Sequence, residues 1–155
     1  MIKADVLITN KNWKKSIKAP NLYINKKLKK IDRKTNLFKK KHFNFTLLLS
    51  GNTEVKKLNI RFRKKNRTTD VLSFPFYDKI LLNKLSKKKL IKIYLGDIII
   101  NLNKIKYKTT NNDFNLNFDK IWIHGLVHLL GYRHKSNRDF SIMKRIESKL
   151  LQAIK

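Results

Sequence analysis

Hydrophobic and polar positions along the chain follow two periods, and the changes between them predict eight main elements. Short apolar stretches typical of strands alternate with longer segments in which apolar residues recur every three or four positions among lysines. The strands are predicted at residues 4–8, 43–49, 71–76 and 95–100. The helices are predicted at residues 13–30, from after Gly51 to near Asn66, at 118–130 and at 137–153. The order β-α-β-α-β-β-α-α is typical of an α+β layer fold.

This pattern predicts a single domain over residues 1–155, with a small mixed β-sheet of about four strands packed against several helices. A chain of this length can bury about 70% of the surface that its unfolded form exposes. Pro75 is expected at the end or the edge of its strand, because proline cannot donate to a strand ladder. Residues 78–93 are predicted to be a surface excursion. The inner face of the last helix is predicted to carry four apolar residues, Phe140, Met143, Ile146 and Leu150.

The composition narrows the setting. There is no cysteine, so disulfides and thiolate metal sites are excluded, which suits a reducing cytosol. Asp5 interrupts the apolar run at the amino terminus, which is not predicted to be a signal peptide. No apolar run approaches the roughly 18 residues of a membrane span. We expect a cytoplasmic protein without a membrane partner, with a bacterial cytosol or an organelle matrix as its compartment.

The formal net charge of +28 favours a polyanionic partner, and nucleic acid is the obvious one. Abundant lysine, asparagine and isoleucine are also typical of an A/T-rich coding sequence, so part of this charge can reflect mutational drift. Lysine runs at 26–30, 39–41 and 87–89 could neutralise RNA phosphates, although each run alone is typical of a solvated face. The runs lack interleaved aromatic residues, so we expect attraction to the backbone without reading of bases.

The most informative stretch is HGLVHLLGYRH at residues 124–134. Four residues of an α-helix turn through about 400°, so His124 and His128 point the same way one turn apart. Gly131 can end the helix in a left-handed conformation and turn the chain, which could bring His134 back beside them. The stretch therefore predicts a metal site on a central helix and the loop that follows it.

Three neutral nitrogen ligands with one open position describe a catalytic zinc site, whereas a closed structural site takes four protein ligands. A single histidine is more often a satisfied core or surface residue, but three at this spacing favour a metal. We expect one divalent ion, with zinc first among the ions that imidazole suits.

The same spacing occurs in zinc proteases written H-E-x-x-H-x-x-G-x-x-H, where the glutamate is the general base. Gly125 occupies that position here. Zinc lowers the pKa of a bound water to about 7, so hydroxide can form without a neighbouring carboxylate. The missing glutamate therefore argues for a substrate other than a peptide.

At this point the sequence resembles the YbeY family of bacterial and organellar endoribonucleases, whose signature is approximately H-G-x-x-H-L-x-G-Y-D-H. The resemblance extends to LNIRFRKKNRTTDVLSFPF at residues 58–76 and LGDIII at 95–100. Two positions depart from the family pattern: Arg133 stands where aspartate is usual, and Thr68 where proline is usual. A cation beside His134 disfavours a divalent ion unless it faces solvent or a substrate phosphate.

The resemblance implies a single-strand-specific, metal-dependent endoribonuclease in late maturation of small-subunit (16S) ribosomal RNA and in ribosome quality control. It implies a metal on the three histidines, a ribosomal RNA precursor as substrate, and the small subunit and its assembly factors as partners. Two alternatives stay open: a catalytically weakened, ribosome-associated metal-binding protein, which Arg133 favours, and a metal-dependent hydrolase of another substrate.

The resemblance also implies that Arg63 is the catalytic arginine. A guanidinium offers a planar fork of donors to phosphate oxygens and can stabilise charge that develops during cleavage. From residue type alone Arg63 cannot be told from Arg61 and Arg67, and a solvated arginine at a helix end is the alternative.

Three further residues are candidates for support of the site or for substrate binding. Asp70 and Asp97 could each hydrogen-bond a metal-ligating histidine, or could each serve as a turn or cap aspartate. Ser73 could contact substrate, or could be a structural strand serine. Met143 and Glu147 on the last helix are predicted to serve core packing and surface solvation, respectively.

Overall fold

A four-stranded mixed sheet organises the fold in the computed structural model, which describes residues 1–38, 41–88, 92–106 and 111–155. The strands are β1 (Ile2–Ile8), β2 (His42–Ser50), β3 (Val71–Pro75) and β4 (Lys92–Asn101). Their order is β1-β2-β4-β3, with β1, β2 and β4 parallel and β3 antiparallel to β4 at one edge. The predicted α+β class and its four-stranded mixed sheet are confirmed.

Six helices accompany these strands within the described residues. They are α1 (Trp13–Ser16), α2 (Pro20–Lys34), α3 (Asn52–Arg63), α4 (Lys79–Lys87), α5 (Asn111–Leu129) and α6 (Asn137–Ile154). Helices α2, α5 and α6 pack on one face of the sheet, and α3 packs on the other. No helix among the described residues combines the length and the apolar character that crossing a membrane requires.

The alternation of side chains along the strands divides the core between the two faces. On β2, every second residue from Phe43 to Leu49 is buried in the main core beneath α2, α5 and α6. The register aligns Leu48, Ile99 and Leu72 across three strands on the opposite face. There they form a smaller core with Val55 of α3. Helix α3 therefore anchors one half of a face that is otherwise thinly covered.

The helix predicted at residues 13–30 is wrong as a continuous element. Proline disfavours helical backbone at the preceding residue but is well suited to the first helical position. Ala19 is accordingly non-helical, and Pro20 begins α2. The chain ends α1 at Ser16 and starts a second helix that runs to Lys34.

The segment predicted as a surface excursion, residues 78–93, contains helix α4. Asp78 accepts a hydrogen bond from the Leu81 backbone N–H at 2.7 Å, which caps the start of the helix. Leu82 inserts into the main core with 6% of its surface exposed. A short helix among lysines, with one buried side chain, has too weak a periodicity to be recognised from the sequence.

Two helix boundaries and one inner-face residue also differ from the prediction. Helix α3 ends at Arg63 and not near Asn66, because Lys64 adopts a left-handed conformation with a φ of 57°. Helix α5 begins at residue 111, seven residues before the predicted start, in a polar first turn without an apolar repeat. Phe140 on α6 is 56% exposed and does not belong to the inner face, whereas Met143 and Leu150 are buried.

Candidate metal centre

Helix α5 carries His124 and His128 directly against the sheet, and Gly125 allows this close approach. A Cβ atom at residue 125 would lie 2.8 Å from Ile98 Cγ2 and 3.2 Å from Ser73 Oγ. Residue 125 therefore faces β4 and β3. A glutamate at this position would clash with Ile98 and would separate α5 from the sheet. The glycine is a packing requirement of this fold.

The turn after α5 brings His134 back to the same place. Gly131 has a φ of +85°, and the backbone N–H groups of Gly131 and Tyr132 donate to the carbonyls of His128 and Val127. A Cβ atom at Gly131 would lie 2.9 Å from Lys79 Cα, so both conformation and space favour glycine. The ring centroid of His134 lies 5.2 Å from that of His128 and 5.9 Å from that of His124.

Hydrogen bonds set the tautomers of the two helical histidines. His128 Nδ1 lies 2.9 Å from the Tyr132 carbonyl oxygen, which can only accept, so Nδ1 carries the proton. His124 Nδ1 lies 2.6 Å from Glu147 Oε1, and the carboxylate accepts in the same way. The two Nε2 atoms therefore face each other with free lone pairs at 3.1 Å. Two facing lone pairs repel, and a shared cation relieves this repulsion.

The donor set fits a divalent ion. Nitrogens bound to one tetrahedral zinc ion lie roughly 3.3 Å apart, given a Zn–N distance of about 2.0–2.1 Å. The Nε2 atoms of His124 and His128 are close to this spacing. One nitrogen from each of the three histidines lies within 4.8 Å of the others. The triad could thus hold a metal ion. The two helical histidines already lie at ligand spacing, and the exposed His134 approaches them from the loop.

The surroundings of His128 keep it neutral. Burial, followed by the nearby charges of His124, His134 and Arg63, lowers the pKa of His128 to about 4, although the Tyr132 carbonyl opposes this shift. A neutral imidazole is the form that binds metal. At neutral pH, no proton has to leave His128 before a metal binds.

Two of the three histidines, His128 and His134, line a cavity of about 350 Å³ together with cationic side chains. Its lining residues are Arg63, Ser73, Pro75, His128, Arg133, His134 and Lys135. Three of these seven residues carry a fixed positive charge, so the cavity favours an anionic group such as a phosphate. Arg133, the departure from the family signature, faces this same cavity as well as a neighbouring one beside α4.

Position distinguishes the three arginines that residue type could not. Arg63, in the last turn of α3, lines the histidine cavity. The Arg61 guanidinium lies over the Phe62 ring at 5.3 Å. Arg67 lies beyond the end of α3, where hydrogen bonds fix its backbone. Its N–H donates to the Lys65 carbonyl, and its carbonyl accepts from buried Asn59. Among these three, the structure brings only Arg63 to the cavity lining.

Ser73 is brought to the site, whereas the two candidate aspartates bond elsewhere. Ser73 is 8% exposed, and its Oγ is buried and has no partner among the described residues. The Asp70 carboxylate accepts from Thr69 Oγ1 and from the Val71 N–H, as in a turn, although Asp70 lines a cavity beside His124. Asp97 accepts from the Tyr94 hydroxyl at 2.6 Å, and it pairs with Phe74 on the sheet face opposite Ser73.

Glu147 is the site residue that the sequence interpretation missed. Its carboxylate, placed by α6, accepts from His124, and this contact is partly buried, with exposures of 23% and 35% for the two side chains. Carboxylates that hold a ligand histidine in this way fix its ring and raise its basicity. Glu147 lies one helical turn from both Met143 and Leu150, which are buried. The sequence signal that could have identified Glu147 is its position, because a carboxylate stands there on the inner stripe of an amphipathic helix.

The lysine runs are only partly described. In the run at 26–30, Lys27 pairs with buried Asp119 at 2.5 Å, and Lys30 donates to the carbonyls of the last two residues. These two side chains therefore support α5 and the end of α6. The runs at 39–41 and 87–89 include residues that lie outside the described part of the chain.

Fold and site together define a class of α+β proteins that present three histidines, at metal-ligand spacing, from one helix and the turn that follows it. The family described as Endoribonuclease YbeY matches residues 7–155. The chain belongs to this family.

Two relatives agree with this assignment, and a solved structure shares the fold. A protein of Pelagibacter ubique named Endoribonuclease YbeY is 41% identical over 158 residues, which cover 100% of this chain and 97% of that protein. One of Buchnera aphidicola with the same name is 39% identical over 134 residues, covering 86% and 79%. The solution structure of a Thermotoga maritima protein matches with a TM-score of 0.58 at 22% identity, over 99% of this chain and 89% of that one. The last match supports the fold alone.

Proposed function

We propose that the chain is a metal-dependent endoribonuclease that cleaves single-stranded RNA, with zinc held by His124, His128 and His134. The family assignment supports the reaction class. The observation that carries the proposal is the cavity where His128 and His134 meet Arg63, Arg133 and Lys135. A cation-lined cavity beside a metal-binding triad suits a phosphodiester better than a peptide bond.

A metal held by the triad supplies Lewis acidity and activates water at neutral pH. The residues of the chain prepare this chemistry. Glu147 and the Tyr132 carbonyl hold the protons of His124 and His128 on Nδ1, so that both Nε2 atoms face the site. Burial keeps His128 neutral, and Gly125 sets the distance between the helix and the sheet.

Arg63 and Ser73 are the proposed substrate-contacting groups. Arg63 offers paired N–H donors to the nonbridging oxygens of the scissile phosphate, where charge grows during cleavage. The Ser73 hydroxyl has no partner among the described residues and is buried, so it is proposed to donate to the same group after its side chain turns toward the cavity that the residue lines. Arg133 and Lys135 attract the neighbouring phosphates. Asp70 and Asp97 are proposed to be structural, since their carboxylates serve the local turn and Tyr94.

Within the cell we propose that residues 1–155 act as one domain on precursors of small-subunit (16S) ribosomal RNA, in late maturation and in ribosome quality control. The small subunit and its assembly factors are the proposed partners, and the cytoplasm is the proposed compartment. The charge of +28 supports a polyanionic partner of this kind.

Metal content and RNA cleavage, measured together, test the proposal. The wild type, His128→Ala and His42→Ala are stripped with chelator and reloaded with zinc, and bound metal is measured by mass spectrometry. Single-turnover cleavage of a labelled ribosomal RNA precursor is followed in parallel. His42 lies at the start of β2 and is the matched control. We expect one zinc and cleavage in the wild type and in His42→Ala, and loss of both in His128→Ala.

Other outcomes identify the alternatives. Zinc binding without cleavage would support a ribosome-associated metal-binding protein, the alternative that Arg133 favours on sequence grounds alone. Cleavage of a peptide but not of RNA would support a hydrolase of another substrate. If His128→Ala retained both metal and cleavage, the proposed site would be wrong.

A further inference from the structure

One half of the second sheet face is open, and it carries aromatic side chains. The strand register places Asp5, Thr46, Asp97 and Phe74 in one row across all four strands. The next row contains Lys3, Asn44 and Tyr94. Helix α3 packs over the row beyond these, on Leu48, Ile99 and Leu72. In the other two rows, Phe74 is partly buried against this small core, whereas Tyr94 lies beyond it.

Two aromatic pairs form on this face from separate elements. Phe62 of α3 meets Phe74 of β3 with ring centroids 5.3 Å apart. Phe76, just after β3, meets Tyr94 of β4 at 5.7 Å. We refer to these four residues as the aromatic patch. Phe62 is 57% exposed and Phe76 is 64% exposed, so large parts of both rings lie in solvent.

The aromatic patch adjoins the histidine cavity across the edge strand. Phe62 precedes Arg63 in the chain, Phe74 lies between Ser73 and Pro75, and Phe76 follows Pro75. Arg63, Ser73 and Pro75 all line the histidine cavity. Each of these three rings is therefore one residue away from the cavity wall. A chain that crossed β3 would pass directly from the patch into the candidate site.

Cations lie on several sides of the patch, although the Asp5 and Asp97 carboxylates share its sheet face and Asp97 accepts from the Tyr94 hydroxyl. The Arg61 guanidinium stacks over Phe62, Arg63 stands at the cavity, and Lys3 and Lys92 line a further cavity at the far end of the open face. Exposed aromatic rings interleaved with cations are the arrangement by which proteins bind single-stranded nucleic acid, since every base has a face that can stack. An open four-stranded sheet face that carries aromatic residues is one known form of this arrangement.

We propose that the aromatic patch binds single-stranded RNA by stacking bases on Phe62 and Phe76, and so guides the strand across β3 to the histidine cavity. The inference deepens the proposed function and rests on it for the fate of the bound strand. It modifies one expectation from the sequence: the lysine runs contain no aromatic residues, but the fold assembles rings and cations from α3, β3 and β4. Stacking makes such binding tolerant of sequence and selective for unpaired bases.

Binding measured without cleavage tests this proposal. The metal-free protein is titrated, by fluorescence anisotropy, into labelled 12-nucleotide oligoadenosine and into an abasic oligomer of equal length and charge. The variants are Phe62→Ala and Phe76→Ala, with Phe140→Ala as the matched control. Phe140 is 56% exposed on α6, beside Lys144 at 6.0 Å. Thermal unfolding checks that each variant folds, and Phe76→Trp tests rescue by another stacking ring.

Each patch variant is expected to weaken oligoadenosine binding by at least about fivefold, and by up to roughly a hundredfold. Binding of the abasic oligomer, and the salt dependence of both affinities, should stay unchanged because no charge is lost. Phe140→Ala and Phe76→Trp should bind as the wild type does.

Native oligoadenosine affinity in both alanine variants would overturn the proposal and leave the patch to a protein partner. An equal loss for the abasic oligomer would overturn it too. Because no metal is present, the binding result does not depend on cleavage. If the wild type bound bases through the patch but failed to cut RNA with zinc, the proposed function would fall while this inference stood.

Discussion

Replacing Glu147 by glutamine should weaken zinc binding while leaving the fold in place. The carboxylate accepts from His124 Nδ1 at 2.6 Å and holds the ring so that Nε2 faces His128. Glutamine keeps the size and one acceptor oxygen but removes the negative charge. It can also turn its NH₂ group toward Nδ1 and favour the wrong tautomer of His124.

The size of this effect follows from the contact. A hydrogen bond to a charged group contributes about 1.5–3 kcal/mol, and the partial exposure of both side chains, 35% and 23%, argues for the lower half of that range. Loss of such a supporting carboxylate typically lowers metal affinity by about 10–100-fold. We therefore expect about a tenfold loss for Glu147→Gln. A larger loss, of about thirtyfold or more, is expected for Glu147→Ala, which removes the acceptor as well.

The assay is a competition titration of zinc between the protein and a chromophoric chelator, at pH 7 and fixed ionic strength. Asp70→Asn is the matched control because it removes the same charge beside the same cavity. Asp70 and Glu147 line one cavity with His124, but Asp70 bonds to Thr69 and Val71. The control should bind zinc within about twofold of the wild type, since only a screened charge changes.

Two results would refute this reasoning. Native zinc affinity in Glu147→Gln would mean that the carboxylate does not orient His124. An equal loss in Asp70→Asn would mean that the general field of the cavity matters and the hydrogen bond does not. Thermal unfolding of the metal-free variants separates both results from misfolding.

Three further predictions concern catalysis, packing and pH. Arg63→Lys should lower single-turnover RNA cleavage by at least about tenfold, because lysine keeps the charge but loses the paired donors. The control Arg67→Lys should cut at the wild-type rate. Equal rates for the two variants would remove Arg63 from the mechanism. Gly125→Ala should destabilise the protein by about 1–2 kcal/mol, although alanine has the better helix propensity, because its Cβ would lie 2.8 Å from Ile98 Cγ2. A raised melting temperature would contradict this close packing. The pKa of His128 is lowered to about 4, below its ordinary 6.5, so the unfolded chain takes up the proton first. Metal-free protein should therefore lose stability as the pH falls from about 6.5 to 4, and His128→Asn should lose less; parallel pH profiles of the melting temperatures would refute this.

The strands and the two histidine-bearing elements were predictable because their signals are local. Alternating burial in β2 follows directly from the sequence, and a single helix with a glycine turn accounts for the His124, His128 and His134 cluster. The order β1-β2-β4-β3 is not a local property, since it depends on which edges pair. Helix α4 was not predicted because it buries a single leucine, and one buried position does not produce a helical repeat of apolar residues.

The supporting parts of the site were harder to predict because they come from distant segments. Glu147 meets His124 across 23 residues of sequence, and the contact exists only because α6 packs against α5. Asp70 and Asp97 have the chemistry to support a ligand histidine, but their carboxylates bond elsewhere. A turn decides this for Asp70, and the strand register decides it for Asp97. Once the pairing of β3 with β4 is known, the side of the sheet that Asp97 faces excludes this residue from the histidine site.

The close approach of Gly125 to Ile98 and Ser73 also limits how this chain could change its chemistry. In the zinc proteases with the same histidine spacing, the corresponding residue is the glutamate that acts as general base. Here the position touches the sheet, so a substitution toward that glutamate would first have to move α5 away from β3 and β4. A shift of reaction by single substitutions would pass through unstable proteins. The shared spacing places three histidines where they could hold a metal in either scaffold, and the residue beside the first histidine differs with the packing of its helix.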